Sequence, residues 1–73
     1  MPLIQVRLLE NVLTSSQKKQ IITKLTDAMV SIEGENARPV TWVVIDEVRS
    51  GEWGIGGKPL TTEDALALLA GKN

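Results

Sequence analysis

The 73-residue sequence predicts an α/β fold, a β-α-β subunit with parallel strands that is completed by oligomerisation. Three observations carry this expectation. Leu3 to Leu9 alternates apolar Ile4, Val6 and Leu8 with polar Gln5 and Arg7, the period-2 signature of a half-buried strand. A long amphipathic helix pattern follows it. Val40 to Val48 then runs VTWVVIDEV, with four successive apolar side chains from Trp42 to Ile45, so neither face of that strand suits water.

Taken in order, the first strand ends near Glu10, and Glu10 to Thr14 is a connector. Thr14 with Gln17 three residues later matches the capping box, which satisfies free amides at a helix start, so a helix begins near Ser15. Ile21, Ile22, Leu25, Ala28, Met29 and Ile32 recur at the spacing of one helical face, leaving Lys18, Lys19, Lys24 and Asp27 to solvent or the edges. Gly34 is placed to end the helix in a left-handed cap. Glu35 to Pro39 reads as a polar connector into the second strand.

A strand, helix and strand joined over about thirty residues form a parallel crossover, right-handed in nearly all proteins. One helix covers one face of the sheet. The remaining apolar face of a two-stranded sheet must therefore meet other subunits. The glycine-dense Gly51 to Lys58 reads as a tight turn or short hairpin whose backbone passes close to something else. Thr61 or Thr62 caps a short terminal helix through Leu69, with Glu63 and Asp64 favourable to its dipole, and Gly71 to Asn73 are expected to fray. Residues 1–73 form a single domain.

Composition narrows the function. Eight basic and nine acidic residues give a net charge of −1, and no basic run exceeds Lys18-Lys19, so there is no field to gather nucleic acid. No window is long and apolar enough to span a membrane, and no secretory leader pattern opens the chain, so a cytoplasmic location is expected. With no Cys and no His, neither disulfides, nor zinc sites of the usual ligands, nor the common nucleophilic triads are open to it. A core of this size alone supplies only about 3–5 kcal/mol, which again calls for oligomerisation.

The glycines do not form a phosphate loop. A Walker motif ending at Lys58 needs Gly where Glu52 stands and Ser or Thr where Pro59 stands. The spacing of Gly54, Gly56 and Gly57 also fails the dinucleotide fingerprint. Pro2 is more informative. Removal of Met1 would leave a secondary amine at the chain start, and an apolar setting near Leu9, Trp42 or Trp53 would lower its pKa toward neutrality, where a general base works best. Against this stands the plain reading of a proline that merely starts a strand.

Pro2 opening an apolar strand, LLE at Leu8 to Glu10, QKK at Gln17 to Lys19, Asp46-Glu47-Val48 at a strand end and WGIGG at Trp53 to Gly57 together resemble the 4-oxalocrotonate tautomerase family. The resemblance covers nearly the whole chain, with an apparent one-residue insertion near Leu13 and an extended C-terminus. It implies a β-α-β subunit with a C-terminal hairpin and short terminal helix, a homohexamer built as a trimer of dimers, a small-molecule substrate and no metal or organic cofactor. It further implies that Pro2 is the catalytic base of an enol-to-keto isomerisation of a small unsaturated 2-oxo (2-hydroxydienoic) acid, and that Trp53 matches the family's site aromatic.

Two positions depart from the family. Its arginine after the first strand falls on Asn11-Val12-Leu13, and its strand-two arginine falls on Trp42. Those guanidinium groups hold a carboxylate and polarise a carbonyl, which an indole cannot do. Arg7, Arg38 and Arg49 are possible replacements, and Arg38, close in sequence to Trp42, could enter a site at the start of strand two. Trp42 reads either as interface packing or as a pocket wall that stacks on a flat conjugated substrate. Asp46 and Glu47 point to opposite faces and do not form an acid-base pair. Substrate-binding candidates are therefore Trp53, Trp42 and Arg38. Hydratase, decarboxylase or dehalogenase chemistry with the same amine, or a catalytically silent oligomeric binding protein, are the alternatives.

Overall fold

A computed structural model describes residues 1–71. Its elements run β1 (Leu3–Leu9), α1 (Ser15–Glu33), a 3-10 helix (Glu35–Val40), β2 (Trp42–Val48), β3 (Trp53–Ile55), β4 (Lys58–Leu60) and α2 (Thr62–Leu69). β1 and β2 are parallel neighbours in one sheet, and β3 and β4 form a separate antiparallel hairpin. The expected β-α-β subunit with hairpin and terminal helix is therefore present. Contacts cluster the chain into two compact units, residues 1–6 with 14–46, and residues 7–13 with 47 onward.

The first unit is built on α1. Its start is fixed as the sequence requires, because Gln17 N–H donates to Thr14 Oγ1 at 3.1 Å and Thr14 N–H donates to Gln17 Oε1 at 2.9 Å. Its end departs from expectation. Gly34 has φ 100° and ψ 161°, positive in φ but extended in ψ, rather than the left-handed helical cap. Its N–H still closes the helix on the Val30 carbonyl at 2.7 Å.

The polar connector is itself ordered as the 3-10 helix, which packs against α1. Val40 belongs to that turn, so β2 starts at Trp42, two residues later than the apolar run implied. Thr41 ends the turn, donating its N–H to the Arg38 carbonyl and its hydroxyl to the Ala37 carbonyl. Val30 is the buried residue of α1, a position outside the expected apolar face, whereas Ile22 and Ile32 remain exposed.

Strand two is not buried on both sides within the chain. Val43 and Ile45 are half-buried, but Trp42 is 60% exposed and Val44 37%. On β1, Ile4 and Val6 are likewise half-buried while Leu3 and Gln5 are exposed. The reason is the single helix of the crossover: each strand alternates between a covered and an open face, and the open one carries Leu3, Trp42 and Val44 beside the polar Gln5. Leu9 and Val30 are the buried hydrophobic residues among those described, which is very little core for a chain of this length.

In the second unit the hairpin pairs Trp53 with Leu60, Gly54 with Pro59 and Ile55 with Lys58. Gly56 and Gly57 make its two-residue turn with φ 58° and 83°. Two successive positive φ values are what a primed hairpin turn demands, and glycine meets the demand without a Cβ clash. Within the chain no close backbone approach calls for these glycines, since a Cβ at Gly54, Gly56 or Gly57 would meet nothing within 4 Å. α2 starts on a second capping box, with Asp64 N–H donating to Thr61 Oγ1 and Thr61 N–H to Asp64 Oδ2, both at 3.1 Å. Gly71, rather than fraying, turns back with φ 78° and donates its N–H to the Leu68 carbonyl. The expectation for Lys72 and Asn73 lies outside the described residues. Among the described residues no helix is long and apolar enough to cross a membrane.

Candidate active site

Pro2 stands at the head of β1. Proline cannot donate to a ladder, so the first residue of a strand is where it fits. Its carbonyl accepts the Trp42 N–H at 3.0 Å, which joins the starts of the two parallel strands. Pro2 is half-buried, while Met1 before it is 88% exposed. Two of the candidate residues, Pro2 and Trp42, are therefore brought together in the first unit through the backbone.

Arg38 lies in the same unit, in the 3-10 helix that leads into β2, but its guanidinium is engaged. Nε donates to Glu35 Oε1 at 2.6 Å and Nη1 to Asp27 Oδ1 at 2.8 Å. The hydrogen bond and the positive charge of Arg38 hold the Glu35 carboxyl below its usual range, and the bonds to Glu35 and Asp27 raise Arg38 in turn. Placed this way, Arg38 pins the 3-10 helix to α1. To receive a substrate carboxylate it would have to exchange these partners.

Trp53 belongs to the second unit. There it lines a cavity of about 300 Å³ with Leu8, Leu9, Val12 and Leu13 from the end of β1 and the following connector. Leu60 of β4 and Ala65 and Leu69 of α2 complete the wall, together with Arg7. The spacing of apolar residues in β1 and α2 signalled burial, but no local pattern announced a cavity, because its walls come from segments some fifty residues apart in the chain.

A polar knot holds these segments together. The Thr62 hydroxyl donates to the Glu10 carbonyl at 2.7 Å, Thr62 N–H donates to Ser50 Oγ at 2.8 Å, and Ser50 N–H donates to Glu10 Oε2 at 2.8 Å. Thr62 is buried at 9% exposure. The knot ties the end of β1, the turn after β2 and the first residue of α2. Sequence reasoning missed it, although Thr62 had stood as a possible helix cap; the cap is Thr61, which frees the Thr62 hydroxyl for the long-range bond. Among the described residues no group of three acidic side chains is placed to hold a metal ion.

A parallel β-α-β crossover opened by a proline and followed by a glycine-turned hairpin defines a class of small α/β subunit. Comparison with known proteins supports the fold and shows the family. Residues 2–63 match the family model described as tautomerase enzyme. The chain is 41% identical over 61 residues to the probable tautomerase K2 of Dickeya dadantii, covering 84% of this chain and 90% of that protein. It is similar to the crystal structure of DmpI from Helicobacter pylori at TM-score 0.70 and 34% identity, covering 81% of this chain and 95% of that one. A structure from work on the 4-oxalocrotonate tautomerase isozymes of Methylibium petroleiphilum matches at TM-score 0.67 and 34% identity, covering 88% and 97%. The chain belongs to the tautomerase family, and isomerase chemistry is what that membership supports.

Proposed function

We propose that the protein is a cofactor-independent tautomerase in which Pro2, freed by removal of Met1, shuttles a proton within a small unsaturated 2-oxo acid. The observation that carries this reading is the placement of Pro2 at the head of β1, half-buried and one residue behind an exposed Met1, in a member of the tautomerase family. Exposure of Met1 means that its removal costs no packing. The freed pyrrolidine nitrogen, neutral in an apolar setting, takes the proton of the enolic hydroxyl as the carbonyl forms. The resulting pyrrolidinium then returns that proton to carbon, so atoms and charges balance without oxidant or second substrate.

Trp42, paired through its backbone to Pro2, supplies an apolar indole in this reading, and Trp53 is proposed separately as a substrate-binding aromatic. Arg38 takes part as a carboxylate contact only by giving up Glu35 or Asp27. The sparse core and the open apolar sheet face support assembly, for which we propose the homohexamer, a single domain per chain, and a cytoplasmic location. The family match from residue 2 to residue 63 runs through both compact units, which favours one domain.

The test is turnover of a simple enol-pyruvate by protein whose intact mass shows Met1 to be absent, compared with Pro2→Ala. Loss of turnover in a variant that assembles normally supports the reading. Equal turnover overturns it. A hydratase, decarboxylase or dehalogenase would reveal itself by a product of altered mass, and a silent binding protein by no turnover in either form.

A further inference from the structure

We propose that Thr62, Ser50 and Glu10 are positioning residues for Trp53: their knot fixes where the hairpin holds the indole, and through it how tightly substrate binds. The assignment deepens the tautomerase reading, because it rests on Trp53 as the substrate-binding aromatic proposed above.

The hairpin needs an anchor outside itself. β3 and β4 have three residues each and form a sheet of their own, with no ladder bonds to β1 or β2 among the described residues. A two-stranded hairpin is at best marginally stable alone. Its turn end is not what holds it, since Ile55, Gly56, Gly57 and Lys58 are all exposed.

Its base is held from both sides. Trp53 pairs with Leu60, so the indole leaves the chain at that base. Ser50 precedes Trp53 on one leg and Thr62 follows Leu60 on the other, and the Gly51 N–H donates to the Leu60 carbonyl at 3.0 Å just inside them. Thr62 N–H to Ser50 Oγ at 2.8 Å ties the two legs together. Ser50 N–H to Glu10 Oε2 at 2.8 Å and the Thr62 hydroxyl to the Glu10 carbonyl at 2.7 Å tie both legs to one residue. Glu10 is itself fixed, because its N–H donates to the Val48 carbonyl at 2.8 Å at the end of β2. The place of Trp53 relative to Leu8 and Leu9, which line the same cavity, is therefore set by bonds that converge on Glu10.

This gives α2 a task. The family match ends at residue 63, so the helix that opens on Thr62 lies almost wholly beyond it. Thr61 takes the capping role and leaves the buried Thr62 hydroxyl to close the knot. Loosening the knot displaces an apolar wall and touches no atom of the proposed base. A displaced wall weakens the bound substrate and the transition state alike, which raises KM and spares kcat.

The experiment uses the full chain with Met1 removed and the simple enol-pyruvate named above. Thr62→Val removes the hydroxyl bond and keeps the shape. Ser50→Ala, at an exposed position, removes the acceptor of the Thr62 N–H and carries the test if Thr62→Val folds poorly. Each should raise KM roughly three- to tenfold with kcat changed by less than about twofold, and Thr62→Ser should recover most of the loss. Trp53→Leu should raise KM at least as far. Adding Thr62→Val to it should raise KM no further, because the position of an absent indole has no effect. In protein carrying Trp42→Phe, Trp53 is the sole indole, and either knot variant should shift its emission to the red and admit more acrylamide quenching. That readout needs no turnover.

A knot that only braces the fold would lower the melting temperature in every background while the folded variants kept the parent's KM and Trp53 emission. Such a result overturns the proposal, as does a Thr62→Val effect on KM that persists in full beside Trp53→Leu. The two readings fail separately. Trp53→Leu with the parent's KM removes Trp53 from the substrate site and this proposal with it, whereas Pro2→Ala with the parent's turnover removes the base alone and leaves the knot to be judged by KM and emission.

Discussion

The two compact units are held together by different means. In the first, the side-chain bonds described above are short in sequence: the Thr14–Gln17 box, Arg38 to Glu35, and Arg38 to Asp27 eleven residues away. These are exposed, and the unit leaves the apolar face of its strands open. In the second, Glu10 reaches Ser50 and Thr62 across forty and fifty-two residues, and one partner is buried. Local bonds set where a helix begins but cannot specify tertiary arrangement. Long-range bonds to a buried hydroxyl do both, because each is lost entirely if its segments part.

This contrast is open to direct attack. The largest effect belongs to the base proposed for the first unit, where Pro2→Ala should reduce kcat/KM by about 10²–10⁴, the range of general-base catalysis, while size-exclusion chromatography shows the proposed assembly unchanged. Next comes the knot. Thr62→Val keeps the shape but removes the hydroxyl from the Glu10 carbonyl, and should cost about 1–3 kcal/mol in denaturant unfolding. Thr62→Ser should recover most of this, and amide exchange should quicken in α2 and the hairpin rather than in α1.

Smaller is the helix cap. Thr14→Ala should cost about 1 kcal/mol, with the opposite exchange pattern, faster in the first turn of α1 and unaltered in α2. If Thr62→Val and Thr14→Ala give the same exchange map, the distinction between the two units is void.

The smallest effect is the exposed Arg38 cluster. Glu35 is held below its ordinary value, so its pairing contributes stability above the unfolded glutamate pKa of about 4.3 and loses it as pH falls through the lowered value in the folded state. Melting followed from pH 6 downward should show a slight acid-side loss that Arg38→Ala lacks, and salt should diminish it.

Much of the fold could be read from the sequence because its signals are local. The alternation of β1, the Thr14–Gln17 box, the apolar stripe of α1 and the glycines of the hairpin turn all act within a few residues. What escaped was set by packing. The 3-10 helix over Glu35–Val40 carries no apolar period, and Arg38 finds Asp27 only because that turn folds back on α1. The four-residue apolar run in β2 implies two buried faces; inside the chain one is covered and the other left open, the one the sequence assigns to contact between subunits. At the candidate site, Pro2, Trp42 and Trp53 were legible as residue types, but the ion pairs of Arg38 and the cavity beside Arg7 depend on side chains brought together from distant segments.

The scarcity of buried side chains has a thermodynamic corollary. A chain whose buried hydrophobic residues, among those described, are Leu9 and Val30, and which leaves Leu3, Trp42 and Val44 facing outward, would draw its cohesion from the assembly proposed above. Mass action then governs its persistence: the melting temperature should climb as the solution is made more concentrated, and dilution alone should dismantle the native state.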